Sequence, residues 1–312
     1  MCQHGIINLL KPAGMTSHDC VYQLRKITGI KRIGHTGTLD PMAAGVLPLC
    51  IGNATRIIDY LDLDQKIYRC EMILGITTDT YDIWGSVIND KSDDVREFSL
   101  NDIHQAFSPL KGRIFQTPPE YSAVRVEGRR LYEYAREGQK VKANKRPIVI
   151  YDLKVQSYNK ETGRIIFDLA CSKGTYVRTI CHQVGEKLGC GGAMSFLLRT
   201  GSGAFNVNES VPFEYLKGKW KDYLLPMDYP LNNLGSLKIR ENRASWFENG
   251  GYLKANEAEV VKRPILNVAF GYINHRKELD MLYSVYSDDR FLGVAVYDKS
   301  GNIYKADKVL CK

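Results

Sequence analysis

A single carboxylate stands in an otherwise acid-free run, Gly34-His35-Thr36-Gly37-Thr38-Leu39-Asp40-Pro41-Met42-Ala43-Ala44-Gly45-Val46-Leu47-Pro48-Leu49. Glycines at 34, 37 and 45 allow backbone angles or close approaches that other residues resist. Pro41 restricts the chain just after Asp40, and the apolar segment Val46 to Ile51 can bury behind the loop. A stiff loop presenting one carboxylate from a packed core suits nucleophilic or general-base chemistry. An Asp-Pro pair on its own more commonly caps a turn.

A second concentration of chemistry lies between Lys111 and Pro147. Ten basic residues (Lys111, Arg113, Arg125, Arg129, Arg130, Arg136, Lys140, Lys142, Lys145, Arg146) meet four acids (Glu120, Glu127, Glu133, Glu137), with tyrosines 121, 132 and 134 interleaved. Cations mixed with aromatics suit a polyanion with exposed bases, so this stretch predicts a nucleic-acid contact. A shorter or more balanced run would read as a solvated charged face.

The elements that must position these groups are legible in outline. Ser17 to Ile27 predicts a helix capped by Ser17 and ended by Gly29, with Cys20, Leu24 and Ile27 on one face. Lys66 to Ile76 has strand character, and Asn89 to Asp94 reads as a polar turn. Ser99 with Asp102 opens a helix running through Ile103 and Phe107. Ile148 to Tyr158 and Arg164 to Cys171 read as antiparallel strands. Val177, Ile180, Cys181, Val184 and Leu188 share a helix face, with Gly189 at its end. No βαβ rhythm appears, so the fold class is α+β, with a mixed, mainly antiparallel sheet and flanking helices.

At 312 residues, one large and one smaller domain are expected. The composition, 44% hydrophobic with net charge +8, supports a sizeable core and a polyanionic partner. No run of about 18 apolar residues is present, which excludes a membrane-spanning helix. The start, Met1-Cys2-Gln3-His4-Gly5, has no signal-peptide pattern, so a soluble, cytoplasmic protein is expected. Eight cysteines never form Cys-x-x-Cys and sit mostly in apolar segments, as reduced core thiols do; no metal site is expected. No Gly-x-x-x-x-Gly-Lys-Ser/Thr loop is present, which removes support for nucleotide hydrolysis.

Four spaced motifs together resemble the TruB family of pseudouridine synthases, the bacterial enzymes that modify the T-loop of tRNA. They are Lys11-Pro12-Ala13-Gly14-Met15-Thr16-Ser17 with the Asp40 string, and Lys66-Ile67-Tyr68-Arg69 with Leu74 to Asp82. Pro119-Glu120-Tyr121-Ser122-Ala123 with Gly128 to Arg136, and Ser172-Lys173-Gly174-Thr175-Tyr176-Val177-Arg178-Thr179-Ile180, complete the set. Two positions depart from the family pattern. Arg125 stands where Lys is common, and Leu198 interrupts a Leu-Arg-Arg run, which puts a peripheral phosphate contact in doubt.

The resemblance implies isomerisation of the T-loop uridine (U55) of tRNA: the ribose C1′–N1 bond breaks, the base turns, and C1′ joins C5. No cofactor and no guide RNA are implied. Asp40 is the implied catalytic carboxylate, kept ionised by Arg178. Tyr68 would stack on the uracil near the reacting sugar, with Tyr176 and Leu197 as the opposite wall of the pocket. His35 would fill the space the flipped base leaves, and Arg56 would meet phosphate. The implied domains are a catalytic domain, 1–232, carrying the basic arm at about 111–147, and a PUA-like β-barrel, 233–312, that binds RNA. Within that tail, Phe291 to Tyr297 and Ile303 to Lys305 predict a hairpin about Asp298-Lys299-Ser300-Gly301, and Glu248 to Leu253 a turn between short strands. A monomer is expected. An RNA-binding or tRNA-folding protein on the same scaffold, and a guide-dependent relative, are the alternatives. The tRNA-type arm after Pro119 speaks against the second.

Overall fold

The computed structural model describes residues 4–61, 65–92, 95, 98–141, 143–265 and 281–310. Cys2, Cys311, Lys142 and the Asp94 end of the polar turn lie outside the described residues. The chain forms two compact units: Met1–Asp64 with Ser202–Lys312, and Gln65–Gly201.

In the first unit the strand Ala44–Ile51 is buried along almost its whole length. It pairs antiparallel with Gly5–Lys11, Lys11 facing Gly45, and with Ile33–His35, His35 facing Leu49. Such a continuous apolar run marks a strand covered on both faces. The helix Ser17–Thr28 buries Cys20, Val21 and Leu24 on Ile7, Leu9, Leu47 and Leu49. Its cap is Thr16, not the expected Ser17. Thr16 and Asp19 form a reciprocal capping box, which frees the Ser17 hydroxyl for a second task. Gly29 ends the helix at φ 72°.

The tail of this unit is a six-stranded sheet in the order Tyr252–Lys254, Ile303–Val309, Arg290–Asp298, Leu282–Ser287, Gly235–Ile239, Ala258–Lys262. Only the pair Gly235–Ile239 and Leu282–Ser287 is parallel. The expected hairpin is present as Arg290–Asp298 with Ile303–Val309. The segment before Tyr252 is a helix, Glu241–Glu248, where a strand was expected. It buries only Ala244 and Phe247, too few apolar positions to show a helical period in the sequence. The tail also shares a core with the start of the chain. Leu282, Val294 and Leu310 pack with Ile6, Val46, Cys50, Ala54 and Ile57.

The second unit carries a sheet in the order Gly192–Ser202, Lys66–Leu74, Arg164–Cys171, Arg146–Asn159, Gly112–Gln116. Lys66–Leu74, Arg164–Cys171, Arg146–Asn159 and Gly112–Gln116 are successively antiparallel. Arg164–Cys171 alternates buried and partly exposed residues, the period of a strand with one covered face. Cys70, Met72, Phe167, Leu169, Ile180, Cys181 and Val184 form its core with Phe107, whose ring lies 5.0 Å from that of Phe167. Its two longest helices among the described residues are Leu100–Phe107, capped by Ser99 and Asp102 as expected, and Val177–Leu188, ended by Gly189 at φ 80°; a short one spans Leu131–Arg136. All six described cysteines are buried thiols, and burial pushes Cys50 and Cys171 up to about 12.

Candidate active site

The loop bearing Asp40 is held by a lysine. Lys11 ends the strand Gly5–Lys11 and is wholly buried. Its ammonium donates to the carbonyls of Pro12 at 3.0 Å, Pro41 at 2.9 Å and Ala43 at 2.6 Å. Charge-assisted bonds in a buried setting are each worth about 1.5–3 kcal/mol. The freed Ser17 hydroxyl accepts from the Leu39 amide at 2.9 Å and donates to the Leu39 carbonyl at 3.2 Å. The Gly14 amide reaches the Pro41 carbonyl, and the Ala43 amide reaches the Asp40 carbonyl at 3.1 Å. Backbone is thus pinned on both sides of Asp40, which is itself half-buried. Gly45 adopts φ 112°, a conformation that other residues rarely reach, as the chain re-enters its strand.

His35 is half-buried at the end of its short strand. Arg56 is exposed, and its Nη1 donates to the Val309 carbonyl in the tail at 2.5 Å. Asn53 donates to the Leu310 carbonyl at 3.1 Å, and the Tyr60 hydroxyl bonds Asp307. Burial, then that carboxylate, pushes the Tyr60 phenol upward.

In the second unit, Tyr68, Tyr176, Arg178 and Leu197 occupy neighbouring elements. Tyr68 lies mid-strand, opposite Leu169, and is half-buried. Arg199, only 1% exposed, hydrogen-bonds the Tyr68 phenol. Burial pulls its guanidinium below its ordinary value, and Tyr68 opposes that pull. Leu197 is buried on the same strand, two residues earlier and therefore on the same face as Arg199.

Arg178 is the second residue of the helix Val177–Leu188, where the helix dipole disfavours a cation. Its compensation is local. Nη2 donates to the Tyr121 carbonyl at 2.7 Å, Nη1 to the Thr80 carbonyl at 3.4 Å, and Asp82 Oδ2 lies 3.8 Å from Nη1. Asp82 is itself held, by the Thr80 hydroxyl at 2.7 Å and the Trp84 amide at 3.2 Å. Tyr176 precedes the helix, and Gln116 pairs with both of its backbone groups. Beneath the arm a cavity of about 490 Å³ is lined by Phe115, Pro119, Lys140, Lys145 and His182 among others. His182 stacks on Tyr81 at 4.0 Å, and burial pulls its imidazole downward. Sequence reasoning missed Lys11, Asp82, Gln116 and Arg199 as individual site residues, although each stands within or beside a motif that it quoted.

Residues 25–177 match the family described as "TruB family pseudouridylate synthase (N terminal domain)", and residues 178–232 match "tRNA pseudouridylate synthase B C-terminal domain". A protein of Clostridioides difficile named tRNA pseudouridine synthase B is 42% identical, covering 97% of this chain and 98% of that protein. This chain belongs to the TruB family. The Bacillus subtilis protein of the same name is also 42% identical, over 81% of this chain and 84% of its own. Among solved structures, a chain of a Cbf5–Nop10–Gar1 complex is 25% identical with a TM-score of 0.72, covering 99% of this chain and 85% of that one. The TruB fold, α+β with a PUA-like tail, accounts for both sheets described above. The first matched stretch spans Asp40, Tyr68 and Tyr176, and the second spans Arg178 and Leu197.

Proposed function

We propose that this TruB protein isomerises the T-loop uridine (U55) of tRNA to pseudouridine, as a monomer, with no guide RNA and no cofactor. The observation that carries the reading is the near full-length identity to proteins named tRNA pseudouridine synthase B. The braced carboxylate loop gives it a chemical basis. A bond migration from N1 to C5 of the same base changes no oxidation state, so protein groups suffice for it. It needs an ionised carboxylate at the sugar–base junction, held still while the base turns. Asp40 is that group in this reading, and Arg178 is the cation that favours its ionised form.

Flipping the uridine costs a few kcal/mol. Stacking on Tyr68, apolar contact with Tyr176 and Leu197, and His35 in the vacated space would offset that cost. Arg199 donates to the Tyr68 phenol oxygen and so fixes the ring beside the substrate. The basic arm closes over the RNA, and the tail, from about residue 233, binds it as a PUA-like domain. Arg56 keeps its other guanidinium nitrogens for phosphate while Nη1 holds the tail.

The test is tritium release from an unmodified tRNA transcript carrying C5-tritiated uridine, with protein and buffer alone. One tritium released per tRNA is expected. Tight binding with no release would favour the RNA-binding alternative, and release only on adding a guide would favour the guided one.

A further inference from the structure

The residue before a helix usually supplies a side chain to its free amides, and Tyr176 is not of a capping type. Its φ of −98° and ψ of 106° are extended, and no side-chain capping bond is present there. Gln116, from another element, instead holds the backbone of Tyr176 itself. It ends the strand Gly112–Gln116 and is 2% exposed. Its Oε1 accepts from the Tyr176 amide at 2.8 Å, and its Nε2 donates to the Tyr176 carbonyl at 3.1 Å. One buried amide thereby satisfies both backbone groups of one residue, as a neighbouring strand would.

The chain after Gln116 continues the grip. Pro118 and Pro119 are buried and confine the backbone. Tyr121 then offers its carbonyl to Arg178 Nη2 at 2.7 Å. Residues 116–121 therefore hold the start of the helix at two points, the backbone of Tyr176 and the guanidinium of Arg178. The same segment leads directly into the hairpin Arg125–Val126 with Arg129–Arg130, in the basic arm.

We propose that Gln116 is a positioning residue for the isomerisation, setting Tyr176 and Arg178 through the helix start and tying both to the root of the basic arm. The proposal rests on the synthase reading above. Gln116 touches no substrate; its effect is geometric, and displacements near 1 Å can cost about a hundredfold in rate.

Gln116→Met keeps the bulk and removes both hydrogen bonds. Its single-turnover rate at saturating enzyme should fall at least tenfold, with tRNA affinity within about threefold of wild type. Gln116→Glu gives a second, self-controlled reading. Its ionised carboxylate still accepts from the Tyr176 amide but opposes the Tyr176 carbonyl, whereas the protonated acid restores a donor there. The ratio of its rate to that of wild type should therefore rise as pH falls. Hydrogen exchange at the Tyr176 amide, slow in wild type, should accelerate in Gln116→Met whether or not turnover is measured. A wild-type rate in Gln116→Met, a pH-independent ratio for Gln116→Glu, or unchanged exchange at Tyr176 would each overturn the proposal. Failure of the wild type to release tritium, with exchange altered in the variant, would instead sink the synthase reading and leave the bracket intact.

Discussion

The two places that carry the proposed chemistry are held by different means. The Asp40 loop is gripped by a buried charge, the Lys11 ammonium, and by a hydroxyl from the neighbouring helix, both acting on backbone. The start of the Tyr176–Arg178 helix is gripped by a neutral amide and a carbonyl from the base of the basic arm. A charged clamp makes strong bonds and is costly to break, so the loop is set before any RNA arrives. The helix start is held by the very segment expected to meet RNA, so its geometry is open to influence from the arm. The carboxylate is a fixture, and its proposed partners are adjustable.

That contrast can be broken from either side. The largest effect on stability is expected from Lys11→Met, which strips the ammonium from the Pro41 and Ala43 carbonyls. About 3 kcal/mol should be lost in denaturant unfolding, with turnover falling in parallel. Ser17→Ala leaves the buried Leu39 amide without its acceptor and should cost about 1–2 kcal/mol by the same measurement. On the other side, Asp82→Asn removes the carboxylate that lies 3.8 Å from Arg178 Nη1. It should slow single-turnover tritium release about tenfold, roughly 1.4 kcal/mol on the barrier, while shifting the unfolding midpoint little.

The smallest effect concerns pH. The His182 imidazole is held below its ordinary value by burial, so the unfolded chain takes up its proton first as pH falls. Its neutral form stabilises the fold above the unfolded value of about 6.5, and that contribution is lost as pH drops toward the folded value. His182→Phe should flatten the fall of Tm between about pH 7 and pH 5. An unchanged slope would contradict this.

Much of this architecture is written locally in the chain. Gly29 and Gly189 end helices where αL geometry is required, and Ser99 with Asp102 starts one, because each signal is complete within a few residues. The Asp40 loop is legible for the same reason. What escapes local reading is any polar side chain whose partner is distant. Lys11 reads as a surface lysine until the Pro41 and Ala43 carbonyls, 30 and 32 residues away, are found around it. Gln116 reads as a strand-end polar residue, and its partner lies 60 residues on. Thr16 and Ser17 are equally good caps by type; only the use of Ser17 by Leu39 decides between them. The grouping of residues 1–64 with the tail is likewise invisible in order along the chain, because it rests on the core shared by Ile6, Val46, Leu282 and Val294.

The central claim is that Asp40 is the reacting carboxylate on a pre-set loop, and Asp40→Asn tests it most directly. The substitution is nearly isosteric and leaves the Lys11 and Ser17 contacts, which are to neighbouring backbone, in place. Single-turnover tritium release and tRNA affinity would be measured on the same preparation. The account predicts undetectable release with affinity close to wild type. Retained release, or loss of affinity in step with activity, would make Asp40 a structural residue and contradict it.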